Sequence, residues 1–228
     1  MKHKTANDGQ DIGFLQQELP YTVQEHISTK YEFHLDQDIL EPCYYRNLIT
    51  VLHNATEDDV VVLNINSQGG MLDSAISIMD ALNNTRATTI AITTGSCYSA
   101  ATLIALSCSH VEVGEFSNWM LHDGSYGVVS KSTDIVNRAS FENRFIRKLF
   151  SRVYIPFISE SELEDVMRGL DLWLTAEEVK ERLANMYEIL QQEAEEFIAE
   201  MEALQKEQEE PLDGSVSTKP KKKKILPS

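Results

Sequence analysis

The sequence is poor in cysteine and contains no long apolar run. Its three cysteines, Cys43, Cys97 and Cys108, are an odd number at spacings that suit neither a zinc site nor a disulfide framework. We therefore expect buried free thiols in a reducing compartment. No stretch approaches the ~18 consecutive apolar residues of a membrane span, and the first residues lack the apolar core of a signal peptide. The sequence thus predicts a cytoplasmic protein with no membrane partner.

Basic residues are also scarce. The chain has 20 Lys and Arg against 36 Asp and Glu, a formal net charge of −16, which argues against nucleic acid as a partner. The lysines of residues 219–224 are the exception, so the acidity belongs to the rest of the chain. That cluster resembles a nuclear localisation signal, but a solvated basic tail is the simpler interpretation.

The overall composition is that of a folded protein, and the sequence divides into three parts. At 228 residues with 42% hydrophobic side chains, it is long enough to bury one sizeable core. Residues 1–30 are polar with scattered Gly and Pro, which predicts a flexible N-terminal arm. Residues 31–190 form the expected folded body, and residues 191–228 a charged helical extension that ends in the basic tail.

Strand and helix patterns alternate along the body, which predicts an α/β fold. The run VVVLNI at residues 60–65 is typical of a strand buried on both faces of a parallel sheet. One long amphipathic helix is predicted at residues 129–154, with Ser132 or Thr133 as its N-cap. Thr175 and Glu178 have the spacing of a capping box at the start of the last helix.

Two of the predicted strands end in a glycine-containing turn that opens a helix. The turns are NSQGG at residues 66–70 and GSCYSA at residues 95–100. Ligands bind at the carboxyl ends of parallel strands, and unpaired N–H groups at such turns can stabilise a negative charge. Ser99 would stand on the second turn with its hydroxyl exposed, much as a nucleophile elbow holds its serine.

A serine nucleophile needs an imidazole to take its proton and a carboxylate to orient that imidazole. Among six histidines, His122 differs from the others because it ends the apolar strand pattern NWMLH and precedes a turn. Two simpler interpretations stay open. A strand-end histidine is often structural, and Ser99 could be merely a helix cap.

These segments, in order, resemble the ClpP-type serine peptidases, the proteolytic subunits of Clp machines. The resemblance rests on INSQGG, GSCYSAA, NWMLHDG and DLWLTAEEV, and it runs from about residue 31 to residue 183. It implies a crotonase/ClpP-like α/β fold of repeated ββα units with a long handle helix. The family pattern Gly-x-Ala-Ala-Ser reads here as Gly95 to Ser99, which keeps the glycine and the serine.

The resemblance also implies a role for five residues. Ser99 would be the nucleophile, His122 the general base and Asp171 the carboxylate that orients the base. The backbone N–H groups of Gly70 and Ala100 would form the oxyanion hole. No metal or other cofactor is implied.

The sequence departs from the family pattern at several positions, and the carboxylate is the least secure assignment. Gln68 replaces a proline, and Gly169–Leu170 replaces an Asp-Arg pair that helps couple ring contacts to activity in typical members. Asp123 and Asp165 are alternatives to Asp171. Asp123 is disfavoured because neighbours on a strand point to opposite faces.

The expected function is that of an ATP-dependent Clp-type serine endopeptidase. Such a protein would form a homo-oligomeric ring, stacked on a second ring, and would cleave unfolded proteins or peptides delivered by an AAA+ ATPase unfoldase. Three alternatives stay open: a catalytically weak or inactive ring subunit or scaffold, a stand-alone viral-type processing peptidase, and an acyl-CoA enzyme of the same fold.

Overall fold

A computed structural model of the chain describes residues 28–125, 127 and 129–209. Most of the expected N-terminal arm and the basic tail lie outside these residues. The described part contains a mixed six-stranded sheet. Its strands are β1 (Lys30–Leu35), β2 (Val60–Ser67), β3 (Thr88–Tyr98), β4 (His110–Val113), β5 (Asn118–Leu121) and β6 (Leu172–Thr175).

Helices connect the strands, as the alternating sequence patterns predict. A short 3-10 helix at Pro42–Tyr45 leads directly into the first α-helix. The α-helices are α1 (Arg46–Asn54), α2 (Leu72–Asn84), α3 (Ala100–Leu106), α4 (Ser132–Tyr154), α5 (Glu160–Met167) and α6 (Ala176–Glu209). The expected α/β class, with its long helix α4, is confirmed.

The sheet order places β3 at the centre of the fold. The strands run β1-β2-β3-β5-β6, and β4 also pairs with β3. All pairs are parallel except β5 and β6, which are antiparallel. Residues 90–93 of β3 pair with β4, and residues 96–98 pair with β5. The carboxyl end of β3 therefore lies beside β5.

The core is centred on β2 and α3. In β2, Val61, Leu63 and Ile65 are fully buried and Val62 is nearly so, as the run of β-branched residues predicts. Helix α3 is buried from residue 100 to residue 105, since its small side chains let it pack closely against the sheet. This packing holds the turn before α3 rigidly.

The cysteines follow the expectation in two cases out of three. Cys97 and Cys108 are buried free thiols, and burial raises the pKa of the Cys108 thiol to about 12. Burial raises the pKa of Cys97 as well. The prediction is wrong for Cys43, which is exposed. It follows Pro42 in the short 3-10 helix, where only Tyr45 is buried.

Of the two helix starts predicted from the sequence, that of α6 is confirmed and that of α4 is wrong. The Thr175 hydroxyl accepts from the Glu178 N–H, and the Glu178 carboxylate accepts from the Thr175 N–H, so the predicted capping box is confirmed. The predicted N-cap of α4 is wrong: Lys131 occupies the N-cap position, and no side chain caps that helix. The turn expected over residues 95–99 is shorter than predicted, because β3 continues to Tyr98.

Helices α5 and α6 are joined by one ion pair. Both terminal nitrogens of Arg182 donate to the carboxylate of Glu162, at 2.6 and 3.0 Å. This contact, aided by hydrogen bonds from Ser159, lowers the pKa of Glu162 to about 2. The pair fixes the first part of α6 to the body of the protein.

The length and hydropathy of the described helices bear on whether any of them could span a membrane. Within residues 28–125, 127 and 129–209, no helix combines the length and apolar character needed to cross a bilayer.

Candidate active site

Ser99 lies on a strained turn between β3 and α3. Its φ of 54° and ψ of −125° make it the one non-glycine residue with positive φ in the described part of the chain. Its N–H donates to the Met120 carbonyl at 2.8 Å, and its carbonyl accepts from the Thr102 N–H at 2.9 Å. Such a backbone conformation costs about 1–3 kcal/mol and persists where the surrounding structure enforces it. As the nucleophile-elbow comparison predicts, the serine is held on a sharp turn.

Hydrogen bonds from Thr102 and Tyr154, on the buried side of the turn, support the backbone of Ser99. The Thr102 hydroxyl donates to the Ser99 carbonyl at 2.7 Å and also lies 2.8 Å from the Tyr154 hydroxyl. Burial raises the pKa of Tyr154 far above its ordinary value, so this phenol stays neutral. Sequence reasoning missed both residues. The spacing of Thr102 three positions after Ser99 was a usable signal, whereas nothing local marks Tyr154.

His122 directly follows β5 and contacts Ser99. Its Nε2 lies 2.7 Å from Ser99 Oγ, within hydrogen-bonding distance. The two residues are 23 positions apart in the chain, and they meet because β5 pairs with the end of β3 in parallel. The structure therefore brings together the two side chains that the sequence singled out.

Asp171 lies next to His122 in the strand register but does not bond to it. The β5–β6 ladder ends at the pair Leu121 and Leu172, and continuing its antiparallel register by one residue would set His122 opposite Asp171. Opposite residues of an antiparallel pair share a face, with Cβ atoms about 5 Å apart. The Asp171 carboxylate is exposed, and in the described part of the chain no hydrogen bond or ion pair joins it to His122.

Asp123 and Asp165, the alternatives to Asp171, each have a partner other than His122. Asp123 accepts a hydrogen bond from the Gly124 N–H at 2.8 Å. Asp165 lies on α5 and forms an ion pair with Arg168 at 3.6 Å. Neither bonds to His122 among the described residues, and neither shares its position in the strand register.

The N–H groups of Gly70 and Ala100 are free of protein acceptors in the described part of the chain. Gly70 is held beside Ile39, whose N–H donates to the Gly69 carbonyl at 2.7 Å and whose carbonyl accepts from Met71 at 2.8 Å. Ala100 is the first residue of α3, where an N–H has no partner within the helix. Both residues line the same cavity as Ser99.

The glycine turn after β2 packs directly against the serine turn. A Cβ at Gly69 would lie 2.7 Å from the Ser99 Cβ and 2.6 Å from the Tyr98 carbonyl oxygen. Gly69 also has a φ of 92°, which side chains rarely tolerate. Ser67 orients this turn, because its buried hydroxyl accepts from the Gly69 N–H at 3.1 Å and donates to Gln37.

Replacing Gly69 with alanine is expected to lower kcat for peptide cleavage by roughly 100-fold, because the new methyl group must displace Ser99. The measurement is steady-state hydrolysis of a fluorogenic peptide. Gly127→Ala is the matched control, since a Cβ at Gly127 meets no atom within 4 Å. Equal activity of the two variants would contradict this close packing of the two turns.

The cavity beside Ser99 has a volume of about 560 Å³. Helix α4 supplies one wall through five residues spaced four apart, a spacing that places them on one helix face. These residues are Arg138, Glu142, Ile146, Phe150 and Tyr154. The inner part is apolar, and an Arg138–Glu142 contact of 3.5 Å adds a charged pair. Such a cavity can accept an apolar side chain next to the serine.

Asp171 does not line this cavity. It lines a separate pocket of about 190 Å³ with Glu162, Asp165 and Leu170. Gly169, in the turn before it, has a φ of 93°, so this departure from the family pattern suits the local backbone. Among the described residues no group of three or more His, Cys, Asp or Glu side chains is placed to hold a metal ion.

The chain was matched to one protein-family model. A family model described as Clp protease matches residues 21–183. No curated protein matches the chain at a significant level. The family match contains β1 to β6, the serine and histidine in contact, and both glycine turns. This match covers more than half of the residues of the chain, and the chain therefore belongs to the Clp protease family.

Proposed function

We propose that this chain is a serine endopeptidase of the ClpP type that hydrolyses peptide bonds of unfolded proteins. The observation that carries the proposal is the 2.7 Å contact between Ser99 Oγ and His122 Nε2 at a strained turn beside a cavity. A helix cap does not account for this contact, since the Ser99 side chain caps no N–H of α3.

The proposed reaction is acyl transfer in two steps. Ser99 Oγ attacks the peptide carbonyl carbon while His122 Nε2 accepts its proton, and the carbonyl oxygen becomes an oxyanion. The N–H groups of Gly70 and Ala100 stabilise that negative charge. His122 then gives the proton to the leaving amine, and a water activated by the same imidazole hydrolyses the acyl-enzyme.

Asp171 is proposed as the residue that orients His122 and stabilises the imidazolium. Its support is that Asp171 directly precedes Leu172, which pairs with Leu121 next to His122, while Asp123 and Asp165 have other partners. We propose that the carboxylate moves onto the imidazole when the subunit assembles or binds substrate, since catalytic hydrogen bonds often tighten only in the substrate complex.

A homo-oligomeric ring, stacked on a second ring through α4, is part of the same proposal. Support comes from apolar side chains that α4 leaves exposed. These are Ile135, Val136, Phe141 and Phe145, of which Val136 is 64% exposed and Phe141 58%. Exposed apolar surface of this kind is typical of an interface with another chain. The ring would be cytoplasmic and would receive substrates from an AAA+ ATPase unfoldase.

The test is a fluorophosphonate probe, which reacts with an activated serine. We expect the probe to label the chain at Ser99, as located by mass mapping of the digested protein. Labelling at another serine, or no labelling of a folded chain, would contradict the proposed nucleophile.

A second candidate function is a ring subunit with weak or no turnover. One observation favours it: the Asp171 carboxylate forms no hydrogen bond to His122 in the described part of the chain. Such a subunit would hydrolyse peptides poorly alone and even in its assembled ring. Peptide hydrolysis by the purified, assembled chain at ordinary protease rates would exclude it.

A further inference from the structure

Helix α6 continues far beyond the body that it joins. Its first turns are anchored: Leu183 and Met186 are buried, and the Tyr187 hydroxyl accepts from the Val111 N–H at 3.0 Å. From residue 187 to residue 205 every residue is exposed. The part from residue 188 to residue 209 is about 33 Å long at 1.5 Å per residue. This segment projects as a single helix with no partner among the described residues.

One face of α6 carries a regular apolar stripe. Seven apolar residues follow one another at alternating intervals of four and three, which we call the α6 stripe: Leu183, Tyr187, Leu190, Ala194, Phe197, Met201 and Leu204. Its outer members are exposed, with Phe197 at 63% and Leu204 at 46%. Alternation of four and three is the heptad pattern by which one helix winds around another.

The projecting helix lacks the charge pattern of a helix that is stable alone. Residues 188–205 contain six glutamates and no lysine or arginine, so no salt bridge can form between two residues of this range. Glu193, Glu196 and Glu200 follow one another at intervals that place like charges side by side. In proteins most of the stability of a helix comes from packing of its apolar face rather than from intrinsic propensity. Packing of the α6 stripe against another surface must therefore supply its stability.

We propose that the exposed part of the α6 stripe, from Leu190 to Leu204, pairs with the same part of a second copy of this chain as a parallel coiled coil. In the heptad, Glu193 and Glu200 occupy position g, and Gln191, Ile198 and Gln205 occupy position e. A parallel pair places each g residue opposite the e residue five positions later on the partner helix. Both glutamates then lie opposite uncharged residues of the partner helix. In an antiparallel pair, position g of one helix lies opposite position g of the other, so glutamates would lie opposite glutamates.

A second copy presents the same heptad register, so the apolar residues at positions a and d of one helix meet those of the other. The other glutamates, at 188, 195, 196 and 202, occupy outward positions b and c. Their repulsion between two copies is screened by salt, so pairing should strengthen as ionic strength rises. Binding of a basic partner would weaken instead. The pairing is independent of the proposed catalysis, and it would add a contact between subunits outside the body.

The test is disulfide cross-linking in the full chain. The background variant is Cys43→Ser, which removes the one exposed thiol. Phe197→Cys and Leu204→Cys place a thiol at position d, and Glu195→Cys places one at the outward position b as the matched control. Under mild oxidation we expect both d-position variants to form dimers at least about tenfold faster than the control, because pairing raises the local thiol concentration.

The outcomes separate the alternatives. Cross-linking at both 197 and 204 supports a parallel pair. In an antiparallel pair only one position along the helix can lie opposite the same position of the partner helix. Cross-linking should also accelerate between low and high salt. Equal rates for the three variants, or cross-linking at one d position alone, would overturn the proposal. Slower cross-linking at high salt would overturn it in favour of a basic partner. Circular dichroism checks that each variant retains its helices.

Discussion

Replacing Ser99 with alanine is expected to reduce peptide hydrolysis by about 10⁴-fold or more, to the background of the assay. The hydroxyl is the only group at this position that can form the acyl-enzyme. The backbone strain is already present, because alanine at a φ of 54° is no more strained than serine. The fold should therefore survive, with a loss of about 1 kcal/mol in the free energy of unfolding from the lost hydrogen bond to His122.

The matched control for this variant is Ser96→Ala. Ser96 lies three residues earlier on β3, and its contact at the site is a backbone N–H that donates to the Asn66 side chain at 3.0 Å. Its replacement should leave both hydrolysis and fluorophosphonate labelling unchanged. Hydrolysis that survives in the Ser99 variant, from a preparation free of contaminating proteases, would remove the proposed nucleophile.

Replacing Asp171 with asparagine is expected to lower kcat by roughly 100-fold or more while leaving KM nearly unchanged. Asparagine preserves the size of the side chain but removes the charge that would stabilise the imidazolium of His122 and select its tautomer. Substrate is bound by other groups, since Asp171 does not line the cavity beside Ser99. The measurement is steady-state kinetics on a fluorogenic peptide.

Two control variants test whether the loss of activity is specific to the carboxylate at position 171. Asp123→Asn retains an acceptor for the Gly124 N–H, and Asp165→Asn removes only an exposed ion pair with Arg168. Both should keep nearly full activity, because neither carboxylate shares the strand register of His122. A large loss at 123 or 165, with none at 171, would transfer the orienting role to that residue.

Much of the fold could be predicted because its signals are local. The apolar run of β2, the small residues of α3 and the capping box of α6 each reflect a burial pattern or a hydrogen bond within a few residues. The same is true of Gly69 and Gly70, whose positive φ values suit a tight turn. The N-cap of α4 was predicted wrongly because several polar residues precede that helix and only the final backbone selects one.

The site was harder to predict because its contacts cross the chain. Ser99 and His122 could be proposed from their turns, but the 2.7 Å between them depends on β5 pairing with the end of β3. No pattern near Tyr154 indicates that its hydroxyl contacts Thr102, 52 residues earlier in the chain, and so supports the serine turn. The family resemblance named Asp171, but its distance from His122 depends on how the antiparallel strands β5 and β6 pair.

The amino-acid order alone therefore specified the class of fold, the two glycine turns and a serine and a histidine at strand ends, because burial periodicity and turn chemistry act between near neighbours. Tertiary packing settled which of these groups meet. It set the strained backbone of Ser99 and its contact with His122. Those features arise when strands distant in the chain take one register, and that register minimises the free energy of the whole sheet rather than of any segment.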